Sequence, residues 1–195
     1  MKHVFVVALG AAALACAPVS HEASIPAGSG PLVGVYKAAI DDGHGAVRHA
    51  RLSVWAERPD RLHVEISSPV GGETFSLDAG AGALCVVDVA QATAFVGRDD
   101  PEAIESLVGV RLAAGSAVAA LLSGVSPDGL TVTRDDALPG TLPGTLSIVD
   151  GNRSVTLSRI RFVRGLADAS ALGTGTPPAG VTVRPIEDLR RESGR

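Results

Sequence analysis

The chain has 195 residues, of which 46% are hydrophobic but only 3% aromatic, and a formal net charge of -4. That length suits one domain of ordinary size once a leader is removed, and its core must be built from Ala, Val and Leu. The acidic balance, with no basic stretch carrying interleaved aromatics, argues against a nucleic-acid partner.

At the N-terminus Lys2 precedes the uncharged run 4–15. That run has the length of a signal-peptide core and falls short of the roughly 20 apolar residues that span a bilayer. It ends in Ala13-Leu14-Ala15-Cys16, which resembles the bacterial lipobox, with Ala where Leu is more usual in the first position. The resemblance implies a signal peptide over 1–15, cleavage before Cys16 and acylation of its thiol. A plain secretory signal with a cysteine nearby is the competing reading. An anchor of several acyl chains, at about 0.8 kcal/mol per buried methylene, would hold the protein stably to a membrane. Residues 16–31 are rich in Pro, Gly, Ser and Ala without periodicity and read as the lipidated cysteine and a tether. Ala17 is not the Asp with which enteric bacteria retain lipoproteins in the inner membrane. Outer-membrane sorting is therefore permitted, and the expected location is the outer membrane, with the domain facing the periplasm.

From residue 32 the sequence alternates with period two, the mark of half-buried strands. The expected strands are 32–40, 51–57, 61–67, 73–78, 84–89 and 92–96. In Arg61-Leu62-His63-Val64-Glu65-Ile66-Ser67, the residues Leu62, Val64 and Ile66 face one side while Arg61, His63 and Glu65 face the other. Pro59-Asp60 suits the centre of a tight turn before this strand. Phe75 and Leu77 point inward from the next. Cys85, alone once Cys16 is used, sits in an apolar run and reads as a small core residue.

Asp99-Asp100-Pro101-Glu102 opens a helix over 101–109, with an Asp cap, Pro in the first turn and an acid beside it. A second helix is expected over 112–122. It is apolar on nearly every side and should lie against greasy surface on more than one face. Strands resume at 130–134, 146–149 and 154–163, the last with a bulge near Ser158-Arg159 where the inward phase shifts between Leu157 and Ile160. Residues 166–179 read as a low-complexity loop, 181–183 as a last strand and the Arg-rich 188–195 as a frayed tail. The domain thus runs over 32–187, and the order of elements predicts an α+β fold: an antiparallel sheet with helices on one face.

The hairpin Trp55-Ala56-Glu57-Arg58-Pro59-Asp60-Arg61-Leu62, the loop Ser68-Pro69-Val70-Gly71-Gly72 and the helical stretch from Ile104-Glu105-Ser106-Leu107-Val108-Gly109 to Leu121-Leu122-Ser123-Gly124 occur in this order. Together they resemble the LolA/LolB family of periplasmic lipoprotein carriers and outer-membrane lipoprotein receptors, over about half the chain. The resemblance implies an unclosed antiparallel β half-barrel with a short helical lid over an apolar cavity that receives acyl chains. Cys16 points to the LolB side, since LolB is itself a lipoprotein. Pro69, Val70 and Gly71 match the family's membrane-insertion loop, with Val70 in place of its exposed Leu. The acyl cavity would be lined by Val54, Leu62, Val64, Ile66, Phe75, Leu77, Leu112, Val118 and Leu121. A scarcity of aromatics departs from the family: the mature part holds Tyr36, Trp55, Phe75, Phe95 and Phe162.

No Gly-x-Ser-x-Gly elbow, P-loop, Cys-x-x-Cys or His-Glu-x-x-His is present. The acid pairs Asp41-Asp42, Asp99-Asp100 and Asp135-Asp136 all fall at turns or a helix start, where Asp is expected for local reasons. An enzyme is the least expected class, and no cofactor or metal is implied. The implied partners are the outer membrane through Cys16, acylated lipoprotein cargo and a LolA-like periplasmic carrier. A lipid- or glycolipid-binding lipoprotein without a sorting role, or a structural lipoprotein with a filled core, would account for the same residues.

Overall fold

Alternating apolar residues separated by Gly, Pro and Asp turns build one ten-stranded sheet in the computed structural model, which describes residues 31–68, 72–135, 141–164 and 173–193. Chain order gives β1 (Leu32–Asp41), β2 (Val47–Glu57), β3 (Arg61–Ser67), β4 (Glu73–Gly80), β5 (Ala83–Asp88) and β6 (Thr93–Arg98). Then come helices α1 (Pro101–Val108) and α2 (Ala114–Ser123), strands β7 (Thr131–Arg134), β8 (Thr145–Asp150), β9 (Arg153–Arg164) and β10 (Thr182–Pro185), and helix α3 (Ile186–Ser193). In space the strands run β10-β6-β5-β4-β3-β2-β1-β9-β8-β7, so the sheet is unclosed and the fold is mixed α+β.

The sheet curls around its helices. On a flat sheet β6 and β9, six strand spacings apart, would be separated by roughly 29 Å. Helix α1, about 12 Å long for its 8 residues, leaves β6 after only Asp99 and Asp100 and still reaches β9, where Glu105 pairs with Arg153. Its cap Gly109 lies against Ile40 of β1. Only a sheet bent around α1 meets both constraints. The concave side carries the core: Tyr36, Ala38 and Ile40 from β1, Leu52, Val54 and Ala56 from β2, Leu84 and Val86 from β5, and Phe95 from β6. Burying each large side chain contributes about 1.5–3 kcal/mol.

Four sequence expectations change. The sheet is not wholly antiparallel, because β10 pairs with β6 in parallel. The stretch 188–195 does not fray from residue 188 onward: α3 extends to Ser193, with Ile186 and Leu189 both buried. Ile186 sits over Gly97, where a Cβ would collide with it, and ion pairs from Arg184 to Asp188 and Glu192 tie β10 to the helix. Helix α2 begins at Ala114, not at 112, since Ala113 is extended and Leu112 precedes the first turn. The bulge in β9 falls at Ile160: Val35 pairs with Arg161 and Tyr36 with Arg159, leaving Ile160 as the extra, exposed residue rather than an inward one.

Candidate functional site

The nine side chains expected to line a cavity all belong to the concave apolar cluster, but in two groups. Val54, Leu62, Leu77, Leu112, Val118 and Leu121 are each no more than 5% exposed. A void wide enough for water would leave accessible area on its walls, so this part of the interior is filled. Val64, Ile66 and Phe75 are half-buried. They lie on neighbouring strands, with Ile66 opposite Phe75 and Val64 opposite Leu77, at the sheet end where β3 runs toward residues 69–71. Leu107 and Val108 of α1 are likewise partly buried apolar residues packed on the core. Pro69, Val70, Gly71 and Cys16 lie outside the described residues.

Helix α2 is held at both ends by side chains from elsewhere. It has no side-chain cap of its own; instead both carboxylate oxygens of Asp99 accept from Ala114 N, at 3.0 and 3.1 Å. Burial raises the Asp99 pKa, opposed by the backbone N–H donors of Ala114 and Gly115. At the other end Arg134 Nη1 donates to Leu121 O at 3.2 Å, a cation at the negative helix terminus, and Arg58 bonds Ser123 Oγ. The helix therefore closes the sheet end that carries the β2–β3 turn, opposite the half-buried group. Helix α1 has its own cap as read from sequence, Asp100 Oδ1 accepting from Ala103 N at 3.0 Å. The loop before β8 enters the same interior: Tyr36 Oη donates to Pro143 O at 3.0 Å, and burial pushes the tyrosine pKa to about 12.

The convex face holds a feature that alternation alone does not reveal. Strand register aligns Val33, Trp55, His63, Asp78, Cys85 and Val96 in one row across six strands, all on the side away from the core. His63, on the side opposite Leu62, Val64 and Ile66 as expected, is only 8% exposed, and Cys85 is 1% exposed. The cover is the segment that begins at Gly173, whose N–H donates to Asp78 Oδ1 at 2.6 Å. Gly173 also lies against Arg61 and Ala79, and Gly175 against Ala83, both glycines with φ near +67° (68° and 66°). Trp55 and His63 meet edge to face with centroids 4.9 Å apart. Asp78 Oδ1 is 3.1 Å from His63 Nδ1, an ion pair when the ring is protonated. Burial pulls the His63 pKa down, yet Asp78 and then Glu65 outweigh it and hold it above the ordinary 6.5. Burial likewise pushes the Cys85 thiol to about 11, with the Asp78 charge adding to it. A cleft of about 10 Å³, the size of one water, lies between Trp55, Glu57, Arg61, His63 and Gly173. No sequence signal near His63 marks this burial, because its cover is more than a hundred residues away.

Compared with known proteins, the chain matches no family model and no curated sequence.

Proposed function

We propose that the protein is a LolB-like outer-membrane lipoprotein: anchored through Cys16, it binds acyl chains of lipoprotein cargo against its concave apolar face and helps insert them into the membrane. On this reading the unclosed sheet is a half-barrel and the helices are its lid over an apolar cavity. The observation that carries it is the half-buried group Val64, Ile66 and Phe75, at the sheet end toward Pro69-Val70-Gly71. Apolar surface left partly wet at one mouth of a curled sheet is where an acyl chain gains most from burial. The filled interior beyond it means deeper entry requires α2, whose Val118 and Leu121 fill it, to yield. Transfer would follow increasing apolar contact, without a covalent step. A LolA-like carrier would deliver the cargo.

A second reading has its own support: six of the nine expected lining residues are packed closed, as in a structural lipoprotein with a filled core. Mass spectrometry of the full chain carrying Cys16→Ser, so that its own anchor adds no lipid, separates the two. Co-purified acyl-bearing molecules are expected; none, together with unchanged lipoprotein localisation on depletion, would leave the structural reading. Bound lipid with unchanged localisation would indicate lipid binding without sorting. Val70→Glu is expected to lower cargo insertion by about tenfold, ~1.4 kcal/mol, since a carboxylate carried even part-way into the apolar layer loses hydration. Full insertion by that variant would remove the loop from the proposal.

A further inference from the structure

The convex face of β9-β1-β2 carries three cations that the fold brings together and does not neutralise. Lys37 of β1 lies directly opposite Arg51 of β2. Arg161 of β9 lies opposite Val35, two residues along β1 on the same face. All three are exposed. Among the described residues no carboxylate pairs with any of them, although ten ion-pair contacts are made elsewhere by other residues. Glu65 of β3, across from Ser53, is the nearest acid by register on this side, and it faces His63 instead. His49 shares the face beside Ala39. The surroundings are small and uncharged: Ser53, Ser158 and Thr156 flank the cations across the strands.

This arrangement works against stability. Like charges directly opposite on an antiparallel pair repel, and the chain as a whole is acidic at -4, so carboxylates were available to pair them. The bulge adds an exposed apolar residue next to Arg161 in the strand: Ile160 is 47% exposed. Cations spread over a sheet surface around an exposed aliphatic side chain match the boundary between phosphate headgroups and acyl chains. The attachment geometry agrees. Leu32, where β1 begins, is sixteen residues from Cys16, a span of at most about 55 Å, and β1 is the strand that carries Lys37. A chain anchored at Cys16 can therefore lay this face on the membrane that holds its anchor.

We propose that the convex face of β9-β1-β2, through Lys37, Arg51 and Arg161 with Ile160 beside them, docks on the anionic phosphate surface of a lipid bilayer. The orientation in the cell rests on the anchored reading; the affinity does not. The test uses the full chain with Cys16→Ser, so that a failure to lipidate leaves the result untouched. Co-sedimentation is measured with vesicles of phosphatidylcholine alone and of phosphatidylcholine mixed with phosphatidylglycerol, each at low and high salt. Binding to the mixed vesicles only, lost at high salt, is expected. Replacing Lys37, Arg51 and Arg161 together by Ser should weaken it about a hundredfold, from about 1 kcal/mol per cation near an anionic surface, and Ile160→Ser should weaken it severalfold more. The triple variant should melt no lower than its parent, because a repulsive pair has been removed. Equal binding to both vesicle types, no binding at all, or unchanged binding by the triple variant would each overturn the proposal. If isolated acidic proteins were retained by this face while vesicles were not, it would be a protein-docking surface instead.

Discussion

Along the row from Trp55 to Cys85 the two faces of β2–β5 are both covered, but by different means. On the concave side the cover is local in kind: helices and strand side chains of matching apolar character, with Leu84 and Val86 fully enclosed. On the convex side the row from Trp55 to Cys85 is mixed in character, and its cover is a backbone segment pinned through Gly173 N to Asp78. The concave face gains from area removed from water; the convex face depends on a few directed contacts. Damage to the first should be large and diffuse, and damage to the second smaller and confined to the cover.

Leu84 and Cys85 give the sharpest contrast, being neighbours on opposite faces and both at most 1% exposed. Leu84→Ala should cost about 2–5 kcal/mol in chemical denaturation, since it opens a hole around a fully buried side chain. A loss under about 1 kcal/mol would mean that the concave interior is looser than its burial indicates, and would favour a face able to accommodate acyl chains without moving α2.

This contrast also explains what was legible in the sequence. Strands β1 to β6 and the concave set were readable because period-two alternation is written locally, and the α1 cap because Asp100-Pro101 is a local signal. The burial of His63 was not legible, because alternation assigns faces and says nothing of what later covers them. Helix α3 was hidden by its charge: Ile186 and Leu189 at a helical spacing of three are its whole apolar face, and Arg190 is held by Asp100 from α1. The filled and half-buried groups within the nine expected lining residues were indistinguishable, since each is an inward aliphatic or aromatic residue and only the helix positions separate them.

Gly80→Ala attacks the convex cover alone. A Cβ at Gly80 would strike the carbonyl oxygen of Gly173, a backbone atom that cannot rotate away, so the segment must lift. The expected loss is about 1–3 kcal/mol, with a second readout that core variants lack. Cys85, whose thiol is held up at about 11, should become reactive toward alkylating reagents at rates well above the parent's. A stability loss with no gain in Cys85 reactivity would show that the row is sealed by something other than this segment.

The smallest effect expected is also the most specific to the convex face. His63 is flanked by Asp78 across to β4 and by Glu65 on its own strand, with Arg61 and Glu57 around the adjoining cleft. Its pKa in the folded chain lies above the ordinary 6.5 despite burial, so the folded state holds the proton more tightly than the unfolded one. The resulting stabilisation is fully present below about pH 6.5 and is lost as pH rises through the higher folded value. Denaturation of the parent and of His63→Gln across this range should show a stability gap that is widest in acid and narrows with rising pH. A gap that stays constant would mean that the ring serves only as packing beside Trp55. A gap that widens would mean that burial wins and His63 is held neutral, which would make Asp78 the partner of Gly173 alone.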